Sequence, residues 1–233
     1  MAKTSEGLAE FAKKALADGW RYWYGTTGVR CTPQLLARKT AQYPAHYTAG
    51  RMARYNRDIA EGRSCADCIG LAKGYMWRDE ETGAQRYKAN GCPDASANGM
   101  YNRALEKGGI ASMPEIPGLM LHMDGHAGIY IGGGQVIEAR GFNYGVVRTA
   151  LTKRPWKHWY KLPGCAYEVK DPGPGAEKEV NPYPEPVKNL RRGYDLGPDG
   201  EGVPEGGRAG RGWDCRREDA SGDEMKSKRT DGR

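Results

Sequence analysis

The chain changes composition near Asp171, and this break limits what it can fold into. Residues 171–233 contain 12 Gly and 7 Pro but only nine large apolar side chains. Such a segment cannot bury enough apolar surface to offset the conformational entropy that folding would remove. We therefore predict one folded domain over residues 1–170, followed by a Pro/Gly-rich linker and disordered tail over residues 171–233.

The positive charge of the chain belongs to the predicted domain. The whole sequence has 36 Lys and Arg against 29 Asp and Glu, whereas residues 171–233 have 12 basic and 14 acidic side chains. The domain alone therefore carries a net charge of +9, which suits a polyanionic partner. Nucleic acid would also attract this charge, but the sequence has no nucleic-acid-binding motif, so we expect no such partner.

Several classes of protein are disfavoured by the apolar and cysteine patterns. No apolar run approaches the roughly 20 residues that a transmembrane helix needs, and residues 1–6 lack the apolar core of a signal peptide. Six cysteines among 233 residues are too few for a disulfide scaffold. We expect a monomer that is made in the cytoplasm with reduced thiols and has no membrane partner.

Helical patterns come first along the predicted domain and strand patterns follow. Ser5 is a candidate N-cap for a helix with Leu8 and Ala12 on its apolar face. Further helices are predicted over 33–42, 46–60 and 98–107, and alternating runs predict strands over 127–131, 135–140, 146–149 and 166–169. This order predicts an α+β fold, with N-terminal helices packed on a central antiparallel β-sheet.

A cysteine lies where a helix is predicted to begin. Ser64 and Asp67 have the Ser-x-x-Asp form of a helix start, which would place Cys68 in the first turn. Free backbone amides and the positive end of the helix favour a thiolate there and could later hold an oxyanion. Cys68 could instead be a small buried apolar residue, or could form a metal or redox pair with Cys65. No second closely spaced Cys or His pair accompanies them, so we expect no metal or other cofactor.

A histidine and a glutamate are predicted to meet across a β-hairpin. His126 opens an alternating run that turns at Gly132–Gly134, and a three-residue loop would pair Ile129 with Ile137. In this register His126 and Glu138 share one face as diagonal neighbours, within reach of a long side chain. Glu138 could then orient the imidazole, as the third member of a Cys–His system does. The alternative is an exposed Glu138 paired with Arg140.

Together these motifs resemble the NlpC family of papain-like peptidoglycan cysteine peptidases. Cys68 precedes His126 by 58 residues, and His126 precedes Glu138 by 12. The resemblance covers residues 6–169, and the run around Glu138 is similar to that of phage and prophage lysins. The segments that carry it are Arg21–Gly25, Asp67–Leu71, Gly125–Gly132, Val136–Gly141 and Gly145–Val147.

The resemblance implies a papain-like fold and a set of functional residues. Cys68 would be the nucleophile, His126 the general base and Glu138 the third polar residue. Tyr22 and Asp67 would line the substrate site, the aspartate near a peptide amino group. The chain departs from cellular members in having Glu where His, Asn or Gln is more common, and its segment 26–66 is longer than in many members.

The resemblance implies that the partner of the protein is bacterial peptidoglycan. The implied activity is hydrolysis of the stem peptide at the bond from γ-D-glutamate to a diamino acid. The wall would be reached after lysis or phage-mediated release. Two alternatives remain: an N-acetylmuramoyl-L-alanine amidase with the same mechanism, and an inactive wall-binding or virion structural protein. Parts of residues 181–200 resemble pieces of a peptidoglycan-binding repeat, which indicates a degenerate wall-binding module in the tail.

Overall fold

A computed structural model describes residues 2–167, which form a mixed α+β unit as predicted. The predicted linker and tail, residues 171–233, lie outside the described residues. The helices are α1 (Ser5–Ala17), α2 (Pro33–Gln42), α3 (Met52–Ala60), α4 (Gly70–Met76) and α5 (Ala97–Arg103). The strands are β1 (Arg21–Tyr22), β2 (Thr27–Arg30), β3 (Ser64–Ala66), β4 (Lys107–Gly109), β5 (Met120–Met123), β6 (His126–Tyr130), β7 (Gln135–Gly141), β8 (Gly145–Ala150) and β9 (His158–Tyr160).

The larger sheet contains six strands in the order β4-β9-β5-β6-β7-β8, and every neighbouring pair is antiparallel. The β6–β7 hairpin pairs Ile129 with Ile137, which confirms the predicted register. Ala127, Ile129, Ile137 and Ala139 join one buried cluster with residues of α1 and α4. N-terminal helices therefore pack on a central antiparallel sheet, as the order of patterns predicts.

A smaller sheet of three strands carries the chain to Cys68. β3 pairs in parallel with β1 and antiparallel with β2. β1 also contacts β7 and β8, and the Val146 amide donates a hydrogen bond to the Trp20 carbonyl oxygen at 3.0 Å. The end of β3 is thereby held, through β1, beside the strand that carries Glu138.

Several predicted boundaries differ from the structure. Thr4, not Ser5, caps α1, because the Thr4 side-chain oxygen accepts a hydrogen bond from the Gly7 amide at 3.1 Å. The helix predicted over 46–60 is a short 3-10 turn followed by α3. Gly50 lies in that turn, where its low helix propensity favours a break.

Two more predicted elements are shorter than expected. The helix predicted over 98–107 ends at Arg103, and Lys107–Gly109 instead form β4 and pair with β9. Within 166–169, Ala166 makes a single bridge to Thr4, and residues 168–169 lie outside the described part. Lys107–Gly109 form a strand because they pair with the distant strand β9, and a window of local sequence does not contain that information.

The described helices are short, and none of them is long and apolar enough to cross a lipid bilayer. α4 is the most enclosed, with all seven of its residues buried. It packs so closely against the start of β2 that a Cβ added at Gly70 would overlap the carbonyl oxygen of Thr26, the residue before that strand. The residue at the start of α4 must therefore lack a side chain for β2 and α4 to meet.

We predict that Gly70→Ala lowers the free energy of unfolding by about 2 kcal/mol or more, because backbone must shift to admit the methyl group. Urea unfolding followed by tryptophan fluorescence measures this. Gly50→Ala is the matched control, since no atom lies within 4 Å of its added Cβ, and it should change stability by less than about 1 kcal/mol. Equal effects of the two substitutions would contradict the close packing of α4 on β2.

Candidate active site

Cys68 lies in the turn between β3 and α4. The prediction that Ser64 begins the helix is wrong, because Ser64–Ala66 form β3 and pair on both sides. Asp67 caps the helix instead. Its carbonyl oxygen accepts from the Leu71 amide at 3.1 Å, and its Oδ1 accepts from the Gly70 amide at 2.5 Å. Cys68 therefore follows the capping residue directly, at the positive end of α4.

Cys68 lies at the edge of the largest buried cluster. It is half-buried, as Cys165 is, and packs against the cluster that contains Leu71 and Tyr160. Cys65 is buried in a different cluster with Trp23, so the two thiols of the Cys-x-x-Cys sequence face separate cores. Among residues 2–167, no group of three His, Cys, Asp or Glu side chains is arranged to hold a metal ion.

Burial makes the thiolate form costly at most of the other described thiols. It raises the pKa of Cys65 well above its ordinary value, and it raises the pKa values of Cys92 and Cys165 to about 12. Cys31 is also buried. Because the thiolate is the nucleophilic form, Cys65, Cys92 and Cys165 are poorly placed for nucleophilic chemistry.

His126 and Glu138 form a direct contact, with 2.6 Å between Nε2 and Oε2. Glu138 has no exposed surface, and its Oε1 accepts a hydrogen bond from Thr149 Oγ1 at 2.9 Å. The same Oε1 lies 3.1 Å from Arg154 Nε in an ion pair. The alternative of an exposed glutamate paired with Arg140 is therefore wrong.

The contact determines which nitrogen of His126 is basic. An ionised carboxylate only accepts hydrogen bonds, so the proton of the neutral imidazole must lie on Nε2, facing Glu138. The lone pair is then on Nδ1, on the other side of the ring. Trp156 stacks on the imidazole with ring centroids 5.6 Å apart, which further fixes its plane.

The charge state of Glu138 follows from its partners. Burial would raise the pKa of this carboxyl, but the hydrogen bond from His126 and the positive charge of Arg154 outweigh it and hold the pKa below its ordinary value. Glu138 is therefore an anion near neutral pH. A buried anion with three partners can stabilise a positive charge that develops on His126.

Asp67 binds the backbone of the turn that carries Cys68, whereas Tyr22 packs against a buried cluster. Both carboxylate oxygens of Asp67 bind backbone amides, Oδ1 that of Gly70 and Oδ2 that of Gly25 at 3.0 Å. Burial raises its pKa, against the opposing charge of Lys73 and these amides. Asp67 thus holds the turn that carries Cys68, a positioning role that the resemblance does not imply. Tyr22 lies opposite Ala66 and packs against the same cluster as Cys68.

The predicted residues fall into two groups. His126 and Glu138 touch, whereas Tyr22, Asp67 and Cys68 are joined through β1 and β3, and β1 contacts β7. Sequence reasoning missed three residues around the His126–Glu138 pair: Thr149 and Arg154, which contact Glu138, and Trp156, which stacks on His126. Extending the hairpin register to β8 would have found Thr149, which pairs opposite Val136 on the face of Glu138. Arg154 and Trp156 follow the strand without any periodic signal.

No protein-family model matches this chain, and no curated protein sequence matches it either.

The pairing of Glu138 should make stability depend on pH. Because its pKa is lowered in the folded protein, its contribution is complete above the ordinary carboxyl pKa and is lost as the pH falls through the folded value. Glu138→Gln should lower the free energy of unfolding by about 3 kcal/mol at neutral pH, since Arg154 loses its counterion. The difference from wild type should shrink toward pH 3, as measured by urea unfolding across the pH range.

Glu106→Gln is the matched control, because Glu106 pairs with Lys161 at 2.7 Å but its side chain is 62% exposed. Its cost should stay below about 1 kcal/mol. A difference between wild type and Glu138→Gln that remained constant from neutral to acidic pH would contradict an ionised Glu138.

Proposed function

We propose that this protein is a papain-like cysteine peptidase of the NlpC type that hydrolyses an amide bond in the stem peptide of bacterial peptidoglycan. The bond would be that from γ-D-glutamate to the diamino acid, in the manner of a phage lysin. The observation that carries the proposal is the buried His126–Glu138 pair, whose Nε2···Oε2 contact directs the basic Nδ1 away from the carboxylate. The sequence motifs around Cys68 supply the matching nucleophile.

The first chemical step would be acyl transfer to Cys68. His126 Nδ1 takes the thiol proton, and the thiolate attacks the carbonyl carbon of the scissile amide. Glu138 stabilises the imidazolium that forms and keeps its own negative charge. His126 then gives the proton to the leaving amine as the carbon–nitrogen bond breaks, leaving a thioester on Cys68.

The charge that develops on the carbonyl oxygen requires hydrogen-bond donors near Cys68. Backbone amides at the start of α4 are the candidates, because the first amides of a helix have no partner within the helix. Asp67 caps the Gly70 amide, so those of Cys68 and Ile69 are the amides to consider. Water activated by His126 would then attack the thioester and release the acid product, which restores the thiol.

The positive charge of the domain supports action on the wall. A net charge of +9 over residues 1–170 favours association with the phosphate and carboxylate groups of the bacterial surface. This attraction is independent of the catalytic residues, so it should remain in a variant that has lost activity.

Mass spectrometry of material released from defined sacculi tests the proposal. We expect wild-type protein to release fragments with a new amino terminus on the diamino acid. Cys68→Ala should lower the rate by at least about 10³-fold, because the nucleophile is lost. Cys165→Ala is the matched control and should retain the wild-type rate.

Release of stem peptides cut before L-alanine would identify an amidase instead. Binding to sacculi without release would identify an inactive wall-binding protein. Either result would contradict the proposed bond, and a Cys68→Ala protein that still cleaves at the wild-type rate would contradict the mechanism.

Glu138→Gln should distinguish an effect on the charge and orientation of His126 from an effect on substrate binding. With a neutral side chain the imidazolium loses its counterion, so kcat should fall by about 10²-fold or more while KM changes little. Thr149→Val removes one hydrogen bond and leaves the carboxylate in place, so kcat should fall by less than about tenfold. Steady-state kinetics on the tetrapeptide L-Ala-γ-D-Glu-diaminopimelate-D-Ala measure both. Equal losses in the two variants would contradict a role for the charge of Glu138.

A further inference from the structure

Lys39 on α2 is connected by packing to the turn that carries Cys68. Its Nζ is 5.2 Å from the ring centroid of Tyr43. The Tyr43 ring in turn packs onto Gly25, since a Cβ added there would lie 2.5 Å from it. The Gly25 amide donates to Asp67 Oδ2 at 3.0 Å. A short series of contacts therefore links the ammonium of Lys39 to the residue preceding Cys68.

The charge of Lys39 lacks a counterion within the described part of the chain. Lys39 is half-buried, and among the described residues its Nζ donates a hydrogen bond, at the exposed surface, to Gln42 Oε1 at 2.9 Å. The other described lysines that are buried or half-buried each form an ion pair: Lys3 with Glu80, Lys73 with Asp94 and Lys161 with Glu106. An ammonium has three donors, so Lys39 can accept an anionic ligand without losing its contact with Gln42.

The charges around Lys39 are consistent with its connection to Asp67. Burial and the neighbouring charge of Arg38 lower the pKa of Lys39, while the carboxylates of Asp67 and Asp94 raise it. The ammonium is thus within electrostatic range of the aspartate that holds the turn. A partly desolvated cation gains more from a carboxylate partner than a fully exposed one does.

We propose that Lys39 is a specificity-determining residue that binds a free carboxylate of the stem peptide, through its connection to the turn that carries Cys68. This inference rests on the proposed function, because it assumes that the scissile peptide lies at Cys68. The peptide offers two such groups near the bond, the α-carboxylate of γ-linked D-glutamate and a side-chain carboxylate of the diamino acid. Both would form the same charge-assisted hydrogen bond to the ammonium.

Calorimetric titration of the Cys68→Ala protein with three tetrapeptides tests the assignment. One is L-Ala-γ-D-Glu-diaminopimelate-D-Ala, and the others carry an amide at the glutamate or at the diaminopimelate carboxylate. We expect one amidated peptide to bind about tenfold more weakly than the unmodified one, which identifies the carboxylate that Lys39 holds. Adding Lys39→Gln should remove this preference by weakening the unmodified peptide alone.

Two variants control for charge and for structure. Lys39→Arg keeps the cation and should keep the preference between the peptides. Lys13→Gln removes one positive charge at an exposed position on α1 and should leave the preference unchanged. Unaltered discrimination in the Lys39→Gln protein, or equal affinity for all three peptides before that substitution, would overturn the assignment.

Hydrolysis by the protein with Cys68 intact is measured in parallel with the same peptides. Failure of the wild-type protein to cleave any of them contradicts the proposed function, whereas the calorimetric preference reports on Lys39 without requiring turnover. Binding that depends on Lys39 without cleavage would support the carboxylate subsite and reject the peptidase. Cleavage with no dependence on Lys39 would support the peptidase and reject the carboxylate subsite.

Discussion

A fully buried carboxylate organises this site. Removing Glu138 from water is costly, and the cost is met only because His126, Thr149 and Arg154 all contact its two oxygens. The same contacts assign the proton of His126 to Nε2 and leave Nδ1 basic. One electrostatic constraint therefore fixes the charge of the glutamate, the tautomer of the histidine and the side of the ring on which chemistry could occur.

Each of the two sheets positions a different part of the candidate site. The larger sheet holds His126 and Glu138 on adjacent strands, where backbone pairing sets their separation. The smaller sheet delivers Cys68 at the end of β3, and Asp67 fixes the turn by binding the Gly25 and Gly70 amides. Because β1 pairs with β3 and contacts β7, Cys68 and the His126–Glu138 pair are carried by neighbouring sheets that are stabilised separately.

Local sequence predicts the elements that depend on local patterns, and it fails for elements whose structure depends on distant contacts. The hairpin register followed from alternation and a glycine turn, so the meeting of His126 and Glu138 could be predicted. Ser64 was misassigned because its helix-start pattern is local, whereas its strand depends on β1 and β2. Arg154 could not be found at all, because no period or motif links a residue after β8 to a buried glutamate. The packing of Tyr43, the residue after α2, on Gly25 could not be predicted for the same reason.

We propose that Cys68 and the His126–Glu138 pair act as one chemical unit, and thiol alkylation tests this proposal most directly. Iodoacetamide is applied at pH 6, and peptide mass spectrometry assigns the modified cysteine. A thiol that transfers its proton to His126 should react readily in the wild-type protein and about tenfold or more slowly in His126→Ala. Identical alkylation rates at Cys68 in the two proteins would contradict the account.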